Sequence, residues 1–143
     1  MNTIHFSGRH RFLDSNTRKK IRLLLKTIAK TKGQKITHLN YVFLRDDELL
    51  EINIEHLNHN TYTDIITFDL SDAGSNGIEG EIYISKDRVK ENSVLHNSNE
   101  THEMIRVISH GLLHLLGYKD KKPSDAIVMR TEEEVCLSLW DNI

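Results

Sequence analysis

Apolar residues recur along the chain with two different periods, and each change of period marks an element. Short β-branched and aromatic runs, "IHF" near the start, then "KITHLNYVFLR", "TDIITFDL" and "IEGEIYIS", read as four strands. Between the first two, Ile21, Leu24, Leu25 and Ile28 share one face of a helix. Asp14, Ser15 or Asn16 can cap that helix, which runs to about Lys32, and Gly33 can stop it. Asp46 or Asp47 can cap a second helix carrying Leu49, Leu50, Ile52, Ile54 and Leu57. "SDAGSNG" is rich in turn formers, and Ser85 can cap a helix that begins "KDRVKENSV". Asn97 and Glu100 have capping-box spacing ahead of a run, Met104 to Leu116, that is apolar almost all round. This predicts a central, buried helix with Gly117 as its stop. After Pro123, Ser124 can start a last amphipathic helix ending near Trp140. The order predicts an α+β fold, one domain over residues 1–143, with a small mixed sheet of about four strands packed by about five helices.

Composition narrows the class. The 143 residues are 38% hydrophobic and 28% charged, with a net charge of −2, as expected of one globular domain. No apolar run approaches the ~20 residues of a membrane span, and "MNTIHFSGRH" lacks a signal-peptide pattern, so a cytoplasmic protein is expected. The single cysteine, Cys136, excludes an internal disulfide and multi-cysteine metal sites, and falls on an apolar helix face. The charge is unevenly spread, with no acidic residue from Ser15 to Arg45. Within that stretch Lys19, Arg22, Lys26 and Lys30 fall in an arc of roughly 80° opposite the apolar face of the first helix. That stripe is either an electropositive contact surface or simply a solvated helix face.

The chemistry concentrates in "SHGLLHLLGYKD". His110 and His114, at i and i+4, share a helix face with Cβ atoms ~6 Å apart, and so can aim imidazole nitrogens at one ion. Gly117 can reverse the chain, and Asp120 can return with a carboxylate. Three protein ligands with one position open is the arrangement of a catalytic metal site. The spacing H-x₃-H-x₂-G-x₂-D is that of the metzincin proteases, but their glutamate base is replaced here by Gly111, which cannot move a proton.

"HGLLHLLGYKD" resembles the H-G-x-L-H-L-x-G-Y-D-H signature of the YbeY family, metal-dependent bacterial endoribonucleases of ribosomal RNA maturation. "LNHNTYTDIITFDL" and "GEIYIS" resemble that family's L-N-x-x-Y-R…T-D-V-L-S-F and G-D-[IL]-x-I-[CS] segments, in the same order. The resemblance implies one divalent ion, zinc foremost, held by His110, His114 and Asp120. It also implies single-stranded ribosomal RNA as substrate, including the 3′ end of the 16S species, a part in ribosome quality control, and ribosomal subunit proteins as possible partners.

Two departures from the pattern matter. The third ligand, normally histidine, is Asp120, preceded by Lys119 where the family has aspartate; a carboxylate makes the ligand set harder and opens the site to other divalent ions. The family arginine after L-N is missing, for no arginine or lysine lies between Leu57 and Asp69. Arg106, one turn before His110, can replace it at a phosphate, or can pair with Glu103 or a C-terminal glutamate. The general base stays open among Glu81, Asp69 and a second water, and the basic stripe is the candidate RNA contact. His102 is a candidate for the cleft mouth or for solvent; His56 and His59 flank the L-N segment, and His5, His10, His38 and His96 read as ordinary surface or strand residues. Two rival functions remain at this point: hydrolysis of another bond, such as a peptide, and an RNA-binding assembly factor with a structural metal and little nuclease activity.

Overall fold

The computed structural model describes residues 3–72 and 77–143. Its order is β1 (Ile4–Gly8), α1 (Ser15–Thr31), β2 (Lys35–Leu44), α2 (Asp46–Leu57), β3 (Ile65–Asp69), β4 (Gly77–Ser85), α3 (Lys86–Leu95), α4 (Glu100–Leu115) and α5 (Pro123–Asn142). This is the α+β fold expected, with a four-stranded mixed sheet in the order β1-β2-β4-β3. The strands β1, β2 and β4 run parallel, and β3 closes the edge antiparallel to β4. The "SDAGSNG" turn falls largely outside the described residues.

Local chemistry explains most boundaries. Asp14 caps α1 by accepting from the Thr17 amide at 2.7 Å, and Gly33 follows the helix at φ +70°. Ser85 caps α3 through the Arg88 amide at 3.0 Å. Three caps differ from the sequence reading. Arg45, not Asp46 or Asp47, precedes α2; its amide donates to Glu48 at 2.9 Å, while Asp46 accepts from Arg88 and Ser85. Asn99, not Asn97, caps α4 through the amides of Thr101 and His102, because Asn97 is in the left-handed region at φ +51°. Pro123 is itself the first residue of α5, a position that needs no amide donor, so that helix starts before Ser124.

One face of the sheet carries the core. Ile4, Leu39, Tyr41, Phe43, Ile82 and Ile84 are buried there with Ile21, Leu24 and Leu25 of α1 and Ile105, Ile108 and Leu112 of α4. The Tyr41 hydroxyl donates to the Ile108 carbonyl at 2.8 Å, which ties α4 to the centre of the sheet. Two glycines set how closely α4 lies. A Cβ at Gly80 would stand 2.9 Å from the Phe68 carbonyl and 2.8 Å from Leu115, and one at Gly111 would stand 2.8 Å from Ile82 and 3.2 Å from Ile65. Gly111 is therefore a packing glycine, and no acidic side chain fits beside His110.

Replacing Gly111 with alanine is expected to lower stability by up to about 2 kcal/mol, since about 1–3 kcal/mol of overpacking outweighs about 1 kcal/mol of helix propensity. Glutamate there should cost more, and denaturant unfolding measures both. Cys136 is 2% exposed, and burial pushes its thiol up to about 11. It should resist alkylation at neutral pH in the native protein and react once unfolded, as mass spectrometry of iodoacetamide-treated samples will record.

Candidate metal centre

α4 presents His110 and His114 on successive turns, with ring centroids 4.6 Å apart and planes at 80°. The helix ends immediately afterwards. Gly117, at φ +103°, donates its amide to the His114 carbonyl, and the Tyr118 amide reaches back to Leu113, both at 3.0 Å. The returning turn is pinned to α5: Tyr118 Oη donates to Glu132, which also holds Lys32. Asp120 is thereby brought over the histidines, with its Oδ2 3.3 Å from Nε2 of each. One ligand atom from each of the three residues lies within 4.8 Å of the others, a spacing that fits a single ion.

The other nitrogen of His110 has its own partner. Its Nδ1 is 2.6 Å from Glu133 Oε2. A proton on Nδ1 donated to that carboxylate leaves the Nε2 lone pair facing Asp120, the tautomer a metal requires. Glu133 is 3% exposed and is paired with Arg106 Nη1 at 3.0 Å. Arg106 also binds the equally buried Glu103 through Nε and Nη2. Burial alone would raise the Glu133 carboxyl, but the His110 hydrogen bond and the Arg106 charge hold it below its ordinary value. Burial works against the Arg106 charge too, and the two carboxylates more than offset it, so this guanidinium stays protonated.

The histidines line a cleft of about 580 Å³ between α4 and the edge strand β3, with Asp120 and Lys121 at its rim. Asp64 and Asp69 also line it. Burial raises the Asp64 carboxyl above the usual range, opposed chiefly by the charge of Arg106.

A family model described as Endoribonuclease YbeY matches residues 4–141. The chain belongs to the YbeY family. It is 50% identical over 122 residues to a protein named Endoribonuclease YbeY from Cytophaga hutchinsonii, covering 85% of each chain. It is 38% identical over 115 residues to one of the same name from Parabacteroides distasonis, covering 80% of each. Its fold matches the solution structure of TM1509 from Thermotoga maritima with a TM-score of 0.65 at 26% identity, over 99% of this chain and 93% of that one.

Within this YbeY-family fold the other residues singled out in the sequence are dispersed. Arg106 lines the cleft, but all three of its nitrogen groups are engaged by Glu103 and Glu133, so of the two readings the geometry favours the ion pair. Glu81 lies on the sheet face away from α4, since its neighbours Gly80 and Ile82 face that helix. Asp69 lines the cleft and accepts from the Ser71 amide. His102 binds Asp141 at 2.8 Å, and His56 packs edge-on against Phe68. Arg22 of the basic stripe reaches β1, donating to the Ile4 carbonyl and lying over Phe6; Lys19, Lys26 and Lys30 are exposed. The stripe thus borders β1 while the cleft borders β3, at opposite edges of the sheet.

The residue the sequence reading passed over is Glu133, hidden within "EEE". Its signal was the stripe Met129, Glu133, Cys136 and Trp140, which is buried at helical spacing. Glu133→Gln should weaken metal binding about 10–100-fold, read by competition with a chromogenic chelator. Arg106→Met, which leaves two buried carboxylates without their cation, should cost about 3–5 kcal/mol in denaturant unfolding.

Proposed function

We infer that this chain is a metal-dependent endoribonuclease acting on single-stranded ribosomal RNA, in maturation of the 16S 3′ end and ribosome quality control. The observation that carries this reading is the convergence of His110, His114 and Asp120 within 4.8 Å in an open cleft. The YbeY-family sequence supports the substrate class. Two imidazoles and one carboxylate suit zinc with a fourth position left for solvent. A bound divalent ion supplies a water of lowered pKa and polarises a phosphoryl oxygen.

The protein's own part is positioning and charge balance. Glu133 fixes the ring of His110, and Arg106 balances the buried carboxylates of Glu103 and Glu133. The cleft cation left to meet a substrate phosphate is Lys121, which has no ion-pair partner among the described residues. It takes the place of the arginine missing between Leu57 and Asp69. Asp64 and Asp69 are the cleft carboxyls, besides Asp120, placed to accept a proton. Peptide hydrolysis is disfavoured by Gly111, whose packing leaves no room for a base. Ribosomal subunit proteins and a cytoplasmic setting accompany the proposed substrate; among the described residues no helix is long and apolar enough to cross a membrane.

His114→Ala and Asp120→Ala should each reduce RNA cleavage by about 10³-fold or more, the several kcal/mol that metal activation supplies. Both should lose metal by elemental analysis while keeping the wild-type circular dichroism. Undiminished cleavage by rigorously purified His114→Ala would overturn the reading.

A further inference from the structure

A second hollow, of about 490 Å³, opens at the ends of β1 and β2, and it is ringed by cations. Arg9, Arg11, Arg45 and Lys86 line it with Phe12; Asp87 is the acidic residue in its wall. The β1–α1 connection places Arg9 and Arg11 there because Gly8, at φ +72°, turns the chain where a Cβ would meet the Phe43 carbonyl at 2.4 Å. Lys86 Nζ lies 4.7 Å from the Phe12 ring centre, and that ring is still 39% exposed. Arg9 pairs with Glu48 and Arg45 with Asp47, but the four side chains are between 34% and 70% exposed. Such exposed pairs hold weakly, so a phosphate can replace either carboxylate. Among the described residues Arg11 has no ion-pair partner.

The walls of this hollow and of the metal cleft are linked through the backbone of the sheet. Leu44, in its wall, pairs with Ser85 at the end of β4, and the Ser85 amide donates to the carbonyl of Asp64, in the wall of the cleft. The end of β4 lies between these two wall segments, whose backbones are roughly 10 Å apart at ~4.8 Å per strand. Tyr62, next to the cleft residue Thr63, is 56% exposed, with the Arg88 guanidinium 5.1 Å from its ring centre; Arg88 in turn binds Asp46, which follows the hollow residue Arg45. Exposed aromatics, each with a cation over one face, alternate with free or exchangeable cations. That alternation is what a single nucleic acid strand requires: rings for bases and cations for phosphates.

We propose that single-stranded RNA entering the metal cleft continues past Tyr62 into the hollow of Arg9, Arg11, Arg45 and Lys86, with Phe12 and Tyr62 as stacking platforms. This rests on the endoribonuclease reading, and it places the backbone contacts at the strand ends rather than on the stripe of α1. An acidic protein segment would satisfy the cations but would leave the two rings unused.

The test measures binding of a fluorescent single-stranded oligouridylate by anisotropy, in the His114→Ala background so that nothing is cleaved. Arg9→Ala, Arg11→Ala and Lys86→Ala combined should weaken binding about 10–100-fold and reduce the salt slope by about 2, at ~0.7 per phosphate contact on a single strand. Arg11→Glu alone, at an exposed position, should weaken it several-fold with unchanged thermal unfolding, as should Tyr62→Ala. Alanines at Lys19, Lys26 and Lys30 should cost less than the triple substitution. Wild-type affinity and slope in the triple variant, or a larger loss from the α1 substitutions, would overturn the proposal. So would competition by polyglutamate as strong as by unlabelled RNA. Failure of the hydrolytic reading would appear separately, as RNA that the wild-type protein binds but does not cut.

Discussion

A single guanidinium between two buried carboxylates governs the site. Arg106 joins Glu103 on its own helix to Glu133 on α5, and Glu133 in turn holds Nδ1 of His110. Unpaired, any one of these charges would be expensive to bury. Paired, they fix the azimuth of α5 against α4 and the orientation of one imidazole together. The chain of contacts therefore links a packing requirement to a chemical one: α5 cannot dock in another register without stranding a carboxylate, and His110 cannot rotate without losing its partner.

Close approach of α4 to the sheet completes the geometry. Gly80 and Gly111 let Leu115 of the helix and Ile82 of the strand pack directly onto the facing backbone, while Tyr41 anchors the helix backbone to the sheet. With Gly111 facing inward, its neighbour His110 and, one turn on, His114 emerge beside β3, the edge of the sheet. A more distant helix would leave the histidines without a cleft wall.

Charge is distributed to match. The buried Glu133 holds His110 from behind, exposed cations collect where the parallel strands end, and the α1 stripe borders the far edge of the sheet. Arg106 is a cation in sequence but contributes little free positive charge to the cleft, because its carboxylate partners are themselves buried. Lys121, in the exposed turn after Asp120, is not so constrained.

Local sequence determined the elements and the convergence of two histidines and an aspartate. The strand runs, the glycine stops and the i, i+4 histidines act over one or two turns, where backbone geometry alone dictates who can meet. Thus nine elements appear in the expected order among the described residues, and His110, His114 and Asp120 converge. Caps slipped by one or two residues where a distant partner competed, as Arg88 does for Asp46. Tertiary structure alone decided what lies far apart in sequence. It assigned Arg106 to Glu133 across 27 positions, joined Glu133 to His110, and put the α1 stripe and the cleft at opposite edges of the sheet. The reason is physical: such pairings follow from which faces the core brings together, and a helical period names the face without naming its neighbour.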